Sequence, residues 1–168
     1  KAKPDPFEDY LRALQIVPVS ISYEFDPCDE PKARELYERE KHGDYKKGEH
    51  EDVKSIAQGI VGFKGNVHLS FGEPIIRGIE NAEQLTENIN AAIRRNYVLH
   101  PTNCFAYEMI EKKSPKVVVG AEGQMFDNMD FDRKRESFKD RISQTNSKYH
   151  DILLRMYANP VYQKLENQ

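Results

Sequence analysis

Apolar residues return along this chain with two different periods. Over residues 7–14 (F-E-D-Y-L-R-A-L) they recur at spacings of three and four, which predicts a short amphipathic helix. Over residues 16–25 (I-V-P-V-S-I-S-Y-E-F) they form a run rich in β-branched side chains, which predicts a strand. Pro18 stands inside that run. It has no N–H to give to a ladder, so it marks a bulge, an edge, or a place where something else needs the backbone. Asp26-Pro27 ends the strand. Asp29 is placed to cap a helix reaching about Lys41, with Pro31 in its first turn, where a missing N–H costs little. A loop over residues 43–48 leads to a second helix over residues 51–59, closed by Gly59.

Alternation takes over at residues 66–71 (N-V-H-L-S-F), with Val67, Leu69 and Phe71 on one face of a second strand and His68 in the opposite phase. Gly72-Glu73-Pro74 ends it. Leu85, Ile89, Ala92, Ile93 and Tyr97 return at helical spacing over residues 82–97, and a short helix over residues 103–112 follows Pro101. The V-V-V run within residues 113–123 is either an extra strand or a packed loop. Phe131, Phe138, Ile142, Tyr149, Ile152, Leu153 and Met156 form the longest stripe, predicting one helix over residues 129–156 with a break near residues 143–147. The order strand–helix–helix–strand–helix indicates an α/β architecture with crossover connections. Two or three strands are too few for a complete sheet. The chain divides on this reading into an α/β portion, residues 1–112, and a mostly helical extension, residues 113–168.

Hydrophobic residues make up 38% of the 168 and charged residues 32%. With a mean hydropathy of −0.79, some helices should face solvent or pack mainly against something else. The net charge of −3 gives no electrostatic case for nucleic acid. No apolar run approaches the ~18–20 residues that span a bilayer. Two cysteines, Cys28 and Cys104, make no disulfide framework and fit a reducing compartment. The polar opening K-A-K-P-D-P, without methionine, leads us to expect a portion of a longer protein.

Candidate chemistry is sparse. Asp26, Asp29 and Glu30 follow the first strand, where α/β sites often sit, but their spacing matches no calcium loop, so capping and solvation account for them. Asp127, Asp130 and Asp132 read likewise as acids ahead of a helix. The five histidines form no zinc or metalloprotease pattern. His68 can face a covered sheet surface, yet no carboxylate partner is identifiable. Arg133, Lys134, Arg135, Lys139 and Arg141 interleave with Asp132, Glu136 and Asp140 as intrahelical pairs do, whereas a membrane-surface helix is more uniformly basic. There is no glycine-rich phosphate cradle and no G-x-S-x-G elbow, which leaves a hydrolase unsupported.

Four segments carry a family resemblance: I-V-P-V-S-I-S-Y-E-F-D-P-C-D (16–29), V-H-L-S-F-G-E-P-I (67–75), P-T-N-C-F-A-Y-E-M (101–109) and M-Y-A-N-P-V (156–161). In this order and separation they resemble the C-terminal part of bacterial glycerolphosphate acyltransferases, the 1-acylglycerol-3-phosphate (lysophosphatidate) group, over most of residues 7–161. The resemblance implies the distal strands and helices of that α/β domain, followed by a helical extension. It also implies transfer of a fatty acyl group from acyl-CoA or acyl carrier protein to a lysophosphatidate or glycerophosphate hydroxyl in phospholipid biosynthesis. No further cofactor is implied. The family's N-H-x-x-x-x-D motif, whose histidine takes the hydroxyl proton while the aspartate supports it, should precede the V-P-V strand. It is absent here. The nearest match, His68 to Glu73, has glutamate for aspartate and lies after V-P-V, so it is rejected as the catalytic pair. Val17, Pro18 and Val19 alone carry over, as a block beside the active site in which Pro18 shapes the backbone. The expected partners are the acyl thioester, the lysophospholipid and the missing N-terminal portion of the same protein, with peripheral contact at the cytoplasmic face of the inner membrane. This chain alone is expected to be inactive. The rival expectation is a non-catalytic interaction or regulatory module that binds a partner through the amphipathic helix over residues 129–156.

Overall fold

A computed structural model describes residues 6–126 and 131–166. The chain is mixed α/β and mostly helical, and its described residues form two small two-stranded sheets. Two compact units divide it. The first takes the chain up to Ser22 together with His68–Tyr97; the second takes Tyr23–Val67 and everything described from Val98 onward.

In the first unit, α1 (Pro6–Leu14) buries Leu11 and leaves Tyr10 and Leu14 in solvent. The strands β1 (Val19–Tyr23) and β2 (Val67–Phe71) pair with one another. Their direction is antiparallel, as the bridge between Ile16 and Ile75 records. That corrects the expected crossover. An antiparallel pair needs no crossover, because the chain re-enters the sheet at the end where the first strand left it. The strand is also shorter than residues 16–25. Pro18 lies just ahead of it, with its carbonyl accepting the Gly72 N–H at 2.8 Å, while Ile16 accepts from Ile75 at 2.8 Å. Two steps on the Pro18 side therefore face three on the other, so the extra residue of a bulge falls in Gly72-Glu73-Pro74. In α4 (Ala82–Asn96), Asn81 caps the start by accepting the Gln84 N–H at 2.9 Å.

The second unit is built on α5 (Pro101–Glu111), in which every residue from Pro101 to Tyr107 is buried. Proline at the first position and reciprocal bonds between His100 and Asn103 start this helix cleanly. Thr102 Oγ1 donates to the Glu24 carbonyl at 2.6 Å, and Asn103 Nδ2 to the Tyr157 carbonyl at 2.9 Å. The helices α2 (Asp29–His42) and α3 (Glu51–Val61) precede it. A hairpin of β3 (Val118–Val119) with β4 (Gln124–Met125) follows, so the V-V-V run does make a short strand. Beyond α5, α6 (Asp132–Ser143) and α7 (His150–Glu166) are separated by a 3₁₀ turn over Ser147–Tyr149. The break expected near residues 143–147 is thus present.

Three expectations change here. Gly59 does not end α3, which runs to Val61 and is capped by Gly62; a Cβ at Gly62 would meet the Gln58 carbonyl oxygen and Pro27 Cβ at 2.6 Å each. The stripe over residues 129–156 does not face outward: Phe138, Ile142, Tyr149, Ile152 and Leu153 are buried, so the face a partner or membrane would have to meet is inside the core. And because α5 packs along α7, residues on both sides of Lys112 share one compact unit rather than dividing there.

Candidate functional site

Around the residues carried over from the sequence, burial alternates strictly. Pro18, Ser20 and Ser22 are buried, while Val17, Val19 and Ile21 are exposed. On β2, Leu69 and Phe71 are exposed, and His68 and Ser70 lie on the more covered side. With Gly72 opposite Pro18 in an antiparallel pair, Val19 stands across from Phe71 and Ile21 across from Leu69. Apolar cross-strand pairs of this kind are what normally fills a core. Here their exposure runs from 37% at Val19 to 70% at Phe71, so the apolar face of the pair is open. Hydrophobicity alone asks for the opposite orientation.

Val17, Pro18 and Val19 bring no titratable group. Their chemistry is aliphatic surface plus one backbone carbonyl fixed on Gly72, where an added Cβ would come within 3.3 Å of both Pro18 O and Asn96 Nδ2. The triplet can shape a binding surface but cannot move a proton. Ser20 and Ser22, which sequence reasoning passed over, place two buried hydroxyls on the covered face without a hydrogen-bond partner among the described residues. His68 stands across the strands from Ser22 without bonding to it, so no nucleophile–base pair forms there.

The acids expected after the first strand do not converge on a ligand. Asp26 accepts the Cys28 N–H at 2.8 Å and pairs with Lys32, and Glu30 is exposed. Asp29 is not the cap: Cys28 holds that position, and Asp29 is a buried first-turn residue. Its Oδ2 accepts from the Tyr157 hydroxyl at 2.7 Å and from Arg141 Nε at 3.0 Å, with the guanidinium as close as 2.8 Å. Arg141 also donates to the Asp26 carbonyl at 3.1 Å and lies over the Phe25 ring at 5.2 Å. Burial would lower the guanidinium, but Asp29 and Tyr157 together hold it raised. The network is closed on itself and ties α2, α6 and α7 together. A second buried carboxylate, Glu24, accepts from the Asn66 backbone and side chain at 3.0 and 2.8 Å and pairs with Lys134 at 3.2 Å. The basic residues of α6 thus do more than pair within their helix: Lys134, Arg135 and Arg141 reach Glu24, Glu108 and Asp29. Asp127 and Asp130 lie outside the described residues, and Asp132 pairs with Arg135 at 3.3 Å. Among the described residues no group of three His, Cys, Asp or Glu could hold a metal ion, and no helix is long and apolar enough to cross a membrane.

Both cysteines are free and buried. Burial, with Glu108 acting in the same direction, pushes the Cys104 thiol up from its ordinary value of 9.0, which keeps it protonated and unreactive. Burial first, and Asp29 second, push Tyr157 up from 10.0. Each group is neutral when protonated, so below 9.0 neither distinguishes the folded from the unfolded chain. Above that pH the unfolded thiol ionises while the folded one keeps its proton, and stability falls as pH rises; Tyr157 adds a second loss from 10.0 upward. Urea denaturation should show a midpoint declining above pH 9.0, with Cys104→Ala removing the first part of the decline. A midpoint insensitive to pH up to 10.0 would contradict a buried thiol at this position.

No family model, no curated protein and no solved structure matches the chain.

Proposed function

We propose that the chain is the distal part of an O-acyltransferase of the glycerolphosphate type. The reaction moves a fatty acyl group from acyl-CoA or acyl carrier protein to the hydroxyl of lysophosphatidate or a related glycerophosphate, in phospholipid biosynthesis. Support comes from the four ordered segments and, in the fold, from one observation: the apolar face of the β1–β2 pair beside Pro18 is open. An antiparallel pair normally buries its apolar face and leaves the polar one to water, so an outward row of β-branched and aromatic residues is a surface built for more of the same domain. On this reading Val17, Pro18 and Val19 border the acyl-transfer site, and Pro18 holds the backbone in shape there. The base is the histidine of an H-x-x-x-x-D segment supplied from outside this chain. The parent acts as a peripheral protein at the cytoplasmic face of the inner membrane, where its lipid acceptor is found.

The test joins this chain behind the H-x-x-x-x-D half of a bacterial lysophosphatidate acyltransferase. The joined protein should transfer acyl groups from acyl-CoA to lysophosphatidate, while the chain alone should not. Pro18→Ala in the joined protein should lower turnover about tenfold to a hundredfold with its urea midpoint little changed, because a small displacement beside reacting atoms is costly. Turnover by the chain alone, or a folded but inactive joined protein, would overturn the proposal.

A further inference from the structure

The helix α3 is amphipathic and mounted with its apolar side outward. Successive residues turn about 100° around a helix axis. Val53, Ile56, Ala57, Ile60 and Val61 therefore share one arc, and Glu51, Ser55, Gln58 and Gly59 share the other. The second arc meets the protein. Gln58 Nε2 donates to the Pro27 carbonyl at 2.7 Å, Cys28 Sγ donates to the Ser55 carbonyl at 3.4 Å, and Gly59 faces the same sulfur, 4.0 Å from where a Cβ would stand. The first arc is left open among the described residues: no residue of α3 is buried, and its large apolar side chains are exposed from 64% at Val53 and Ile56 to 83% at Val61. Phe63, just past the helix end, rests one side on Phe25 at 5.6 Å and remains mostly exposed. Soluble monomers seldom carry a contiguous apolar patch of this extent without using it.

Charge and size say what covers it. The two carboxylates of α3 are both engaged, Glu51 by Arg34 and Tyr45 and Asp52 by Lys47. Lys54, at the edge of the apolar arc, has no carboxylate partner among the described residues. Among the described residues, Lys64 bonds to the carbonyls of Ile60 and Gly62 and to no carboxylate. Lys54 and Lys64 thus put cationic charge beside the patch, complementary to anionic headgroups, while Asp52 at its other edge is neutralised by Lys47. An eleven-residue helix is only about 16 Å long. One exposed arc of it falls short of the roughly 800 Å² per partner that a stable dimer buries. A lipid surface imposes no such minimum, because shallow insertion needs only apolar side chains standing clear of the protein with cations beside them.

We infer that α3 with Phe63 is a lipid-surface anchor. Val53, Ile56, Ile60, Val61 and Phe63 enter the headgroup–acyl boundary of an anionic membrane, and Lys54 and Lys64 meet its phosphates. The anchor shares with acyl transfer only the need for a lipid surface. Its test reads binding rather than turnover, so either idea can fail alone.

The whole chain is floated with vesicles of equal parts phosphatidylglycerol and phosphatidylcholine, and with pure phosphatidylcholine. It should rise with the anionic vesicles and far less with the neutral ones. Ile56→Glu with Ile60→Glu should cut the bound fraction about tenfold or more, and Lys54→Glu about fivefold. Val118→Glu, an exposed apolar position on the β3–β4 hairpin, should change nothing. Since the exchanged side chains are exposed, circular dichroism and the urea midpoint should match the wild type, and that separates lost binding from lost folding. A chain that stays down with both vesicles overturns the assignment, as does binding indifferent to the paired glutamates. A dimer in light scattering that Ile56→Glu with Ile60→Glu returns to monomer would give the patch to a second copy instead.

Discussion

Replacing Phe105 by alanine is expected to lower stability by about 4 kcal/mol, read as a fall in the urea midpoint at unchanged slope. Phe105 sits on α5 with almost no exposure, and three other rings converge on it: Phe126 at 5.8 Å, Phe131 at 5.9 Å and Phe138 at 6.2 Å. Arg135 lies over the same ring at 4.9 Å. Its neighbours come from the β3–β4 hairpin, the start of α6 and the middle of α6, so no single element can move in to fill the space. Truncation therefore leaves a cavity in addition to the lost transfer energy. Phe105→Leu, which keeps most of the volume, should lose well under half as much. A loss below about 1 kcal/mol for the alanine variant would mean that the aromatic cluster collapses freely and is not the rigid centre of the second unit.

Asp29→Ala should cost about 3 kcal/mol, the range found when one partner of a buried ion pair is removed. The carboxylate is nearly inaccessible, and its loss strands the half-covered Arg141 and the Tyr157 hydroxyl together. Most of that cost is the desolvated guanidinium left without a counter-charge, which sets a sharper expectation than the single variant does. In the Asp29→Ala background, Arg141→Met should restore part of the lost stability, because it removes the stranded charge and keeps the volume. If the double variant is less stable than Asp29→Ala alone, Arg141 contributes mainly through Phe25 and the Asp26 carbonyl, and the ion pair is not what holds these helices.

Much of the helical layout was legible because amphipathic spacing needs no partner to be recognised. Residues 7–14 and 82–97 are helical to within a residue or two, and the break between α6 and α7 falls where the apolar stripe loses phase. Pro18 was legible as an anomaly, since a proline among β-branched residues has few places to sit, although the bulge lies on the opposing Gly72-Glu73-Pro74 side. The role of Asp29 was not legible. An acid at the start of a helix looks like a cap whether or not an arginine more than a hundred residues away turns toward it. Nor could alternation reveal that Ser20 and Ser22 are covered while Val19 and Ile21 are open, because period-two spacing separates two faces without saying which one finds company.

Taken alone, the chain's residues determined which segments outside the V-V-V run are helical and which are extended, which positions share a face, and that Pro18 interrupts a strand-forming run; these follow from local sterics and from periods of 3.6 and two. Only the tertiary structure decided that the stripe of α6 and α7 closes on α5, that Asp29 and Arg141 neutralise one another inside, and that the apolar sides of α3 and of β1–β2 look outward. The reason is physical: local geometry sorts side chains onto faces within a few residues, whereas burial is settled by whichever distant surface arrives, and that depends on the whole fold.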